Sequence, residues 1–257
     1  VTFDPDPEHA LRPEAAPPLL LDTATRVGML AGLGPEAVLV LPFDATLAAL
    51  SPDEFLDSIC STSLDARAIV VGEGFRFGNR AAGHADDLVS WGERTGRSVE
   101  VTPLLETEGA PVTSTRIRGL VAEGDVAGAA LLLGRNHRVR GVVTRGRGEG
   151  HKLLGIPTAN LTVDSSICLP ADGVYAGTAA LGDRVYDAAI SAGLPPTFPS
   201  ARELLEVHLI DFDGDLYDRE LVVEFRERLR AQEAFEDLPG LRAAIAADIE
   251  AVRGRNH

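Results

Sequence analysis

Cysteines, long apolar runs and positive charge are all scarce in this 257-residue chain. Cys60 and Cys168 are the only cysteines, which is too few for a disulfide framework. No window approaches the roughly 18 apolar residues that a membrane-spanning helix needs. The first residues, Val1 to Pro5, lack the basic and apolar regions of a signal peptide. We therefore expect a cytoplasmic protein, with reduced thiols and no membrane partner.

The low content of basic residues excludes another class of partner. The chain has 24 Lys and Arg residues against 39 Asp and Glu, a formal net charge of -15 at pH 7. Such a surface repels the phosphate backbone of nucleic acids, and no helix-turn-helix is recognisable, so no nucleic-acid partner is expected. A nucleotide site is still allowed, because it needs only local donors and a metal ion.

The first half of the chain alternates between strand-like and helix-like segments. Three strands are predicted at residues 38–41, 68–71 and 99–101, the first two of them buried. One helix is predicted to begin at Ser51, with Pro52 in its first turn and Glu54 completing a capping box. A second is predicted over residues 86–94, ending near Gly96. This alternation favours a parallel sheet with helices on its faces.

The pattern changes after two short predicted helices over residues 114–133, which break at Gly124-Asp125. Six strand-like runs follow without intervening helices, at residues 139–144, 158–163, 174–181, 185–190, 204–212 and 221–225. Such a series predicts an antiparallel barrel. At the end of the chain, apolar residues recur at helical spacing and predict a helix that covers the barrel: Leu241, Ile245, Ile249 and Val252.

A glycine-rich loop joins the first two barrel strands and is a candidate phosphate site. Its glycines are Gly146, Gly148, Gly150 and Gly155. Glycines let backbone N–H groups approach a phosphate closely. Thr158 and Asn160 follow at once and offer oxygen ligands that suit Mg²⁺. The loop is no Walker A motif, and taken alone such a loop is more often a plain hairpin connection.

Five motifs in this half resemble those of riboflavin kinases. They are GIPTANL (155–161), LPADGVYA (169–176), PTF (196–198), LEVHLIDFDGDLY (205–217) and LRAQEAF (229–235). The resemblance implies an enzyme that transfers a phosphoryl group from ATP to riboflavin. It places Thr158 and Asn160 at Mg-ATP, makes Glu206 the general base, and places Arg230 and Phe235 at the flavin. Without it, Glu206 would be interpreted as an exposed strand residue opposite a basic partner.

The chain departs from this family's usual residues at several positions. Asp218 stands where glycine is usual, which a left-handed backbone would accommodate. Gln232 replaces a glutamate near the expected flavin site, and Ile156 replaces a phenylalanine. The segment 191–195 lacks the usual asparagine or arginine. None of these changes removes Thr158, Asn160 or Glu206.

The first half resembles the adenylyltransferase part of bacterial bifunctional FAD synthetases. The matching segments are VTFDPDP (1–7), GEGFRFG (72–78), TSTRIR (113–118) and LGR (133–135). The resemblance implies a second activity, FMN adenylylation to FAD. Ser114, Thr115 and Arg116 are candidate ATP-phosphate ligands at a helix N-terminus. Phe75 is a candidate flavin contact. The alternatives are a helix cap with solvated arginines and an aromatic side chain that packs locally.

Together these patterns predict an α/β half joined to an all-β half. Residues 1–122 are expected to form a truncated Rossmann-like nucleotidyltransferase domain, and residues 123–257 a six-stranded antiparallel riboflavin-kinase barrel with a C-terminal helix. The expected cofactor is Mg²⁺, ATP is the co-substrate, and riboflavin and FMN are substrate and product. The oligomeric state is not predicted.

None of the six histidines forms the HxGH motif that this nucleotidyltransferase superfamily carries near its N-terminus. That motif stabilises charge on the phosphate under attack, and Asp6 also replaces a usual histidine. We therefore expect this sequence to be a fragment with little or no adenylyltransferase activity. Two rival interpretations stay open at this point: a kinase with a degenerate first domain, and a barrel that binds flavin without catalysis.

Overall fold

The structure is a computed structural model that describes residues 1–145, 156–193 and 205–254. The chain separates into two compact units. One contains Val1–Pro17 and Thr23–Val112, and the other contains Pro18–Asp22 and Thr113–His257. The functional division expected between residues 122 and 123 stays a prediction. No helix among the described residues is both long and apolar enough to cross a membrane.

The first unit consists of short strands and helices. Its strands are β1 (Thr2–Asp4), β2 (Val40–Pro42), β3 (Ala68–Gly72), β4 (Arg76–Phe77), β5 (Gly83–His84), β6 (Ser98–Thr102), β7 (Glu106–Thr107) and β8 (Ala110–Pro111). Its α-helices are α1 (Pro7–Leu11), α2 (Thr23–Gly32), α3 (Ala45–Ala49), α4 (Pro52–Phe55) and α5 (Ala85–Thr95). A π-helical segment covers Leu56–Ser63, and a 3₁₀ turn covers Asn79–Ala81. The predicted mixed α/β composition is confirmed.

The predicted parallel pairing is present, but in two separate pairs. β1 pairs with β2 and β3 pairs with β6, both in parallel, and the structure joins neither pair to the other. The expected burial of the strands at residues 38–41 and 68–71 was wrong, since Val70 is 62% exposed and Leu39 is also exposed. Only one face of β3 is covered, where Ile69 and Val71 pack against the cluster around Trp91.

Local capping signals predicted the helix ends well. At Ser51, the hydroxyl accepts the Glu54 N–H at 3.3 Å and the Glu54 carboxylate accepts the Ser51 N–H at 2.8 Å. This is the predicted capping box, although regular α-helix continues only to Phe55 before the π-helical segment. Helix α5 ends as predicted at Gly96, whose φ of 72° is the left-handed conformation that glycine tolerates.

The second unit is a closed six-stranded barrel with three helices. The helices are α6 (Ser114–Glu123), α7 (Val126–Leu133) and α8 (Leu238–Arg253). The strands are β9 (His137–Thr144), β10 (Ala159–Val163), β11 (Gly173–Leu181), β12 (Arg184–Ala192), β13 (Leu205–Leu209) and β14 (Glu220–Arg230). The strand order around the barrel is β10-β13-β12-β11-β14-β9, and every pair is antiparallel. The predicted barrel is confirmed.

Alternation along the strands divides the barrel wall into an inner and an outer face. On β13, Leu205, Val207 and Leu209 are buried in the core, while the residues between them are half-buried. On the outside, Ile249 and Val252 of α8 pack against a cluster on the neighbouring strands. The predicted cover of the barrel by the last helix is therefore confirmed.

His137, at the start of β9, is fully buried in the barrel. Its Nε2 lies 2.8 Å from the carbonyl oxygen of Cys168, and its ring stacks on Phe225. Its Nδ1 meets no hydrogen-bond partner among the described residues. Burial lowers the pKa of His137 from its ordinary value of 6.5, and the Cys168 carbonyl opposes this only in part. The folded protein therefore binds a proton at His137 less readily than the unfolded chain does.

This burial predicts that the protein loses stability in mild acid. Below about pH 6.5 the unfolded chain binds a proton at His137 that the folded chain does not, so the free energy of unfolding falls with pH, by up to about 1.4 kcal/mol per unit from this group. In His137→Gln, the amide nitrogen keeps a donor for Cys168 but does not titrate. Urea unfolding at about pH 7.5 and about pH 5.5 should show a loss smaller by about 1 kcal/mol in the variant. Equal losses in both proteins would contradict the prediction.

Candidate active site

Glu206 lies on the outer face of β13, half-buried between two inward-facing core residues. The sheet register pairs it with Asn160 on β10 and with Ser191 on β12. Directly paired residues project from the same face of a sheet, with Cβ atoms about 5 Å apart. The structure therefore brings the predicted general base beside the predicted metal ligand Asn160. Neither register partner of Glu206 is basic.

The same register extends this arrangement to a fourth strand. Asn160 pairs with Thr144 on β9, whose hydroxyl lies 3.4 Å from the Asn160 carbonyl oxygen. Thr144, Asn160, Glu206 and Ser191 thus form a polar row across four neighbouring strands. Sequence motifs pointed to only two of these residues, Asn160 and Glu206. The others are recognisable only from the strand pairing.

Thr158 lies directly before β10 and is half-buried. The carbonyl oxygen of the preceding Pro157 lies 2.7 Å from Nδ1 of His208. His208 is two residues beyond Glu206 on the same face of β13, a spacing that the sequence analysis did not use. The glycines of the predicted phosphate loop lie outside the described residues: Gly146, Gly148, Gly150 and Gly155.

The donor atoms at this place suit a small hard cation. Thr158 offers a hydroxyl, Asn160 an amide oxygen and Glu206 a carboxylate, all of them oxygen donors. The described residues contain no group of three or more His, Cys, Asp or Glu side chains that could enclose a metal ion. Mg²⁺ needs only one or two protein ligands when substrate phosphates and water complete its coordination. The residues present therefore fit Mg²⁺.

Arg230 and Phe235, the predicted flavin contacts, are close to one another at the end of β14. The Arg230 guanidinium lies 5.7 Å from the centre of the Phe235 ring. It also donates to both carboxylate oxygens of Asp248 on α8, at 3.0 and 2.8 Å, and to the Ala231 carbonyl at 3.1 Å. Much of its donor capacity is thus directed at the last helix. Any contact with a flavin stays a prediction.

Two of the departures noted in the sequence have a clear structural setting. The amide nitrogen of Gln232 donates to the Ser191 hydroxyl at 2.8 Å and to the Ala192 carbonyl at 3.1 Å. Gln232 therefore anchors the segment after β14 to the polar row. Asp218 has a φ of 61°, the left-handed conformation expected where glycine is usual.

Ser114 and Thr115 occupy the exposed first turn of α6, so their predicted position at a helix N-terminus is confirmed. The cap itself is Thr113, whose hydroxyl accepts the backbone N–H of Arg116 at 3.2 Å. The guanidinium of Arg118 donates to the Pro18 carbonyl at 2.8 Å. That arginine is not simply solvated, contrary to the alternative considered for this segment.

Phe75 lines a cavity of about 240 Å³ within the first unit. Aromatic rings form much of its wall, namely Phe3, Phe43, Phe55, Phe75 and Phe77. Phe75 stacks on Phe77 with ring centres 5.6 Å apart and planes inclined by 18°. Phe75 thus does what both interpretations of it require: it packs locally and it presents a face to a cavity. Arg76 and Asn79 are also among the residues that line it.

Comparisons with known proteins give one consistent result. A riboflavin kinase family model matches residues 133–255, and an FAD synthetase family model matches residues 1–116. A bifunctional riboflavin kinase/FMN adenylyltransferase from Pseudomonas fluorescens is 37% identical over 254 residues, which cover 98% of this chain and 81% of that protein. Its counterpart from Escherichia coli K12 is 32% identical over 96% of this chain and 78% of its own length.

A solved structure shares the whole fold. A chain from Streptococcus pneumoniae, described as a macrolide-efflux protein, superposes with a TM-score of 0.85 at 32% sequence identity. The match covers 98% of this chain and 82% of that one. With both family models and long relatives in agreement, the chain belongs to the family of bifunctional riboflavin kinase/FMN adenylyltransferases.

Proposed function

We propose that the barrel unit transfers the γ-phosphoryl group of ATP to riboflavin and forms FMN. The observation that carries this proposal is the register of β10 against β13, which sets Glu206 beside Asn160 on one face of the barrel. A proton acceptor and an oxygen ligand for a metal-bound nucleotide are thereby adjacent on rigid strands. Membership of the family gives this pairing its expected substrates.

The chemistry asked of these residues is modest. The ribityl 5′-hydroxyl attacks the γ-phosphorus, its O–H bond breaks, and the P–O bond to ADP breaks. Glu206 orients that hydroxyl and accepts its proton. Phosphoryl transfer depends mainly on positioning and on charge stabilisation. Glu206 lies on β13, which is hydrogen-bonded to a strand on each side, so its carboxylate can position the riboflavin hydroxyl.

Thr158 and Asn160 would hold Mg²⁺ together with the ATP phosphates, and the ion would neutralise charge on them. The glycines of the loop over residues 146–155 are proposed as backbone donors to the same phosphates. Arg230 and Phe235 are proposed at the flavin. All the proposed partners are small molecules. The formal net charge of the chain, -15 at pH 7, opposes nucleic-acid binding. ATP as co-substrate fits the expected cytoplasmic location.

For the first half of the chain, we propose the transfer of an adenylyl group from ATP to FMN. The cavity lined by Phe75 and Phe77 suits the isoalloxazine ring, because stacked aromatic rings present flat apolar faces. Ser114, Thr115 and Arg116 are proposed at the ATP phosphates, where the start of α6 favours negative charge. The expectation that this sequence has little adenylyltransferase activity stays a prediction.

One assay with two arms, a riboflavin arm and an FMN arm, tests both proposals. The purified chain is mixed with ATP and Mg²⁺ and with either riboflavin or FMN, and the flavins are separated by chromatography. Formation of FMN from riboflavin is the expected result. In the FMN arm, FAD above the background of a protein-free mixture would show that the chain as given adenylylates FMN.

The rival interpretations lead to other outcomes. FMN without FAD would favour a kinase with a weak or degenerate first domain. Tight riboflavin binding with no ATP-dependent product would instead favour a flavin-binding barrel, and the kinase proposal would fail.

A further inference from the structure

We infer that His208 is a positioning residue, which holds the segment carrying Thr158 against the strand carrying Glu206. The inference rests on the proposed kinase function. Its direct observation is the distance of 2.7 Å between Nδ1 of His208 and the carbonyl oxygen of Pro157. A carbonyl oxygen only accepts, so Nδ1 bears the hydrogen and donates it. The distance lies at the short end for an N–H···O bond.

Pro157 is placed where the barrel ladder ends. The register pairs between β10 and β13 are Asn160 with Glu206 and Ala159 with Val207. Pro157 lies before β10 and is exposed, and proline has no backbone N–H to donate to a neighbouring strand. The paired register of β10 and β13 ends at Ala159 and Val207. At the next position along β13, the side chain of His208 makes a hydrogen bond to Pro157 instead.

This link closes a short loop of contacts around the proposed chemistry. Glu206 and His208 project from one face of β13, since they are two residues apart. Glu206 is paired with Asn160, and His208 donates a hydrogen bond to the carbonyl oxygen of Pro157, the residue before Thr158. The proposed nucleotide ligand and the proposed base therefore have a fixed separation. Reactions of bound substrates are sensitive to such spacing, because a small misplacement removes the alignment of the reacting atoms.

Two amide substitutions of His208 distinguish the effect of its hydrogen bond to Pro157 from the effect of side-chain size. In His208→Asn, the side-chain nitrogen lies at the same distance along the side chain as Nδ1 and can still donate to Pro157. In His208→Gln, the same amide lies one bond further out and misses that carbonyl. The two variants thus match in chemistry and differ in reach. His208→Asn should keep kcat and the affinity for a non-hydrolysable ATP analogue with Mg²⁺ within about twofold of the wild type.

His208→Gln should lower kcat and weaken analogue binding, each by about fivefold, as expected for the loss of one hydrogen bond. The KM for riboflavin and the melting temperature should stay the same in both variants. Equal behaviour of the two variants, or losses that follow a drop in melting temperature, would overturn the inference.

Analogue binding is measured by titration calorimetry and fitted with two sites, because the first half of the chain carries a second proposed ATP site. Binding at the barrel site keeps this test separate from the proposed function. A wild-type chain that binds the analogue but makes no FMN would reject the kinase proposal, while the binding of the two variants would still decide the role of His208. If the wild-type chain does not bind the analogue, both the kinase proposal and the role of His208 are overturned, because Thr158 would then bind no nucleotide.

Discussion

Glu206→Gln is expected to lower kcat for FMN formation by a factor of about 10² to 10⁴, the usual contribution of a general base. Glutamine keeps the size of the side chain and its place opposite Asn160 and Ser191. It does not accept a proton at neutral pH, so the hydroxyl of riboflavin loses its acceptor as it attacks. The KM values for riboflavin and ATP should change little, because the lost interaction develops only in the transition state.

Glu220→Gln is the matched control for this prediction. Glu220 is another strand glutamate of the barrel, exposed on β14 and ion-paired with Arg140 at 2.9 Å. An exposed pair of this kind contributes less than about 1 kcal/mol, so this variant should keep its kcat and its fold. Steady-state rates of FMN formation at saturating substrate concentrations are compared by chromatography. A Glu206→Gln enzyme that retains a third or more of the wild-type kcat would remove Glu206 as the base.

Asp248→Ala is expected to give the largest loss of stability, about 3 kcal/mol in the free energy of unfolding. Asp248 receives two hydrogen bonds from Arg230, and their side chains are only 10% and 21% exposed. Removal of the carboxylate leaves the guanidinium largely buried without its counter-charge. It also frees α8 from the end of β14, although the apolar contacts of Ile249 and Val252 persist.

Three companion variants measured by urea unfolding at one pH make this prediction specific. Asp248→Asn keeps the shape and one acceptor oxygen, and should lose about half as much stability. Arg230→Met combined with Asp248→Leu removes both charges and should recover much of the loss. Glu250→Ala breaks only an exposed pair with Arg253 on the same helix and should cost less than about 0.5 kcal/mol. If Asp248→Ala and Glu250→Ala cost the same, the buried pair does not stabilise the fold.

Features that depend on a few neighbouring residues could be predicted from the sequence. The capping box at Ser51, the break at Gly124-Asp125 and the helix end near Gly96 all appear where expected. The six barrel strands were also recognisable, because alternation and turn residues are local signals. The motifs likewise made Thr158, Asn160 and Glu206 candidate site residues, since each motif is short and continuous in the chain.

Burial and partner choice were not predictable in this way. The runs at 38–41 and 68–71 are as apolar as buried strands, yet Val70 and Leu39 are exposed. The structure directs the guanidinium of Arg230 to Asp248 on α8, a contact that no local pattern in the sequence predicted. Such contacts depend on which distant segments approach, and local propensity carries no information about that.

The sequence by itself determined the family and the kinds of secondary structure, and it named the candidate site residues of the barrel. Only the tertiary structure decided that Asn160, Glu206 and Ser191 stand side by side, and that His208 reaches Pro157. The physical reason is that strand register is set by closure of the whole barrel. A shift of one residue would turn Glu206 into the core and Val207 out to solvent, and the packing of all six strands excludes that shift.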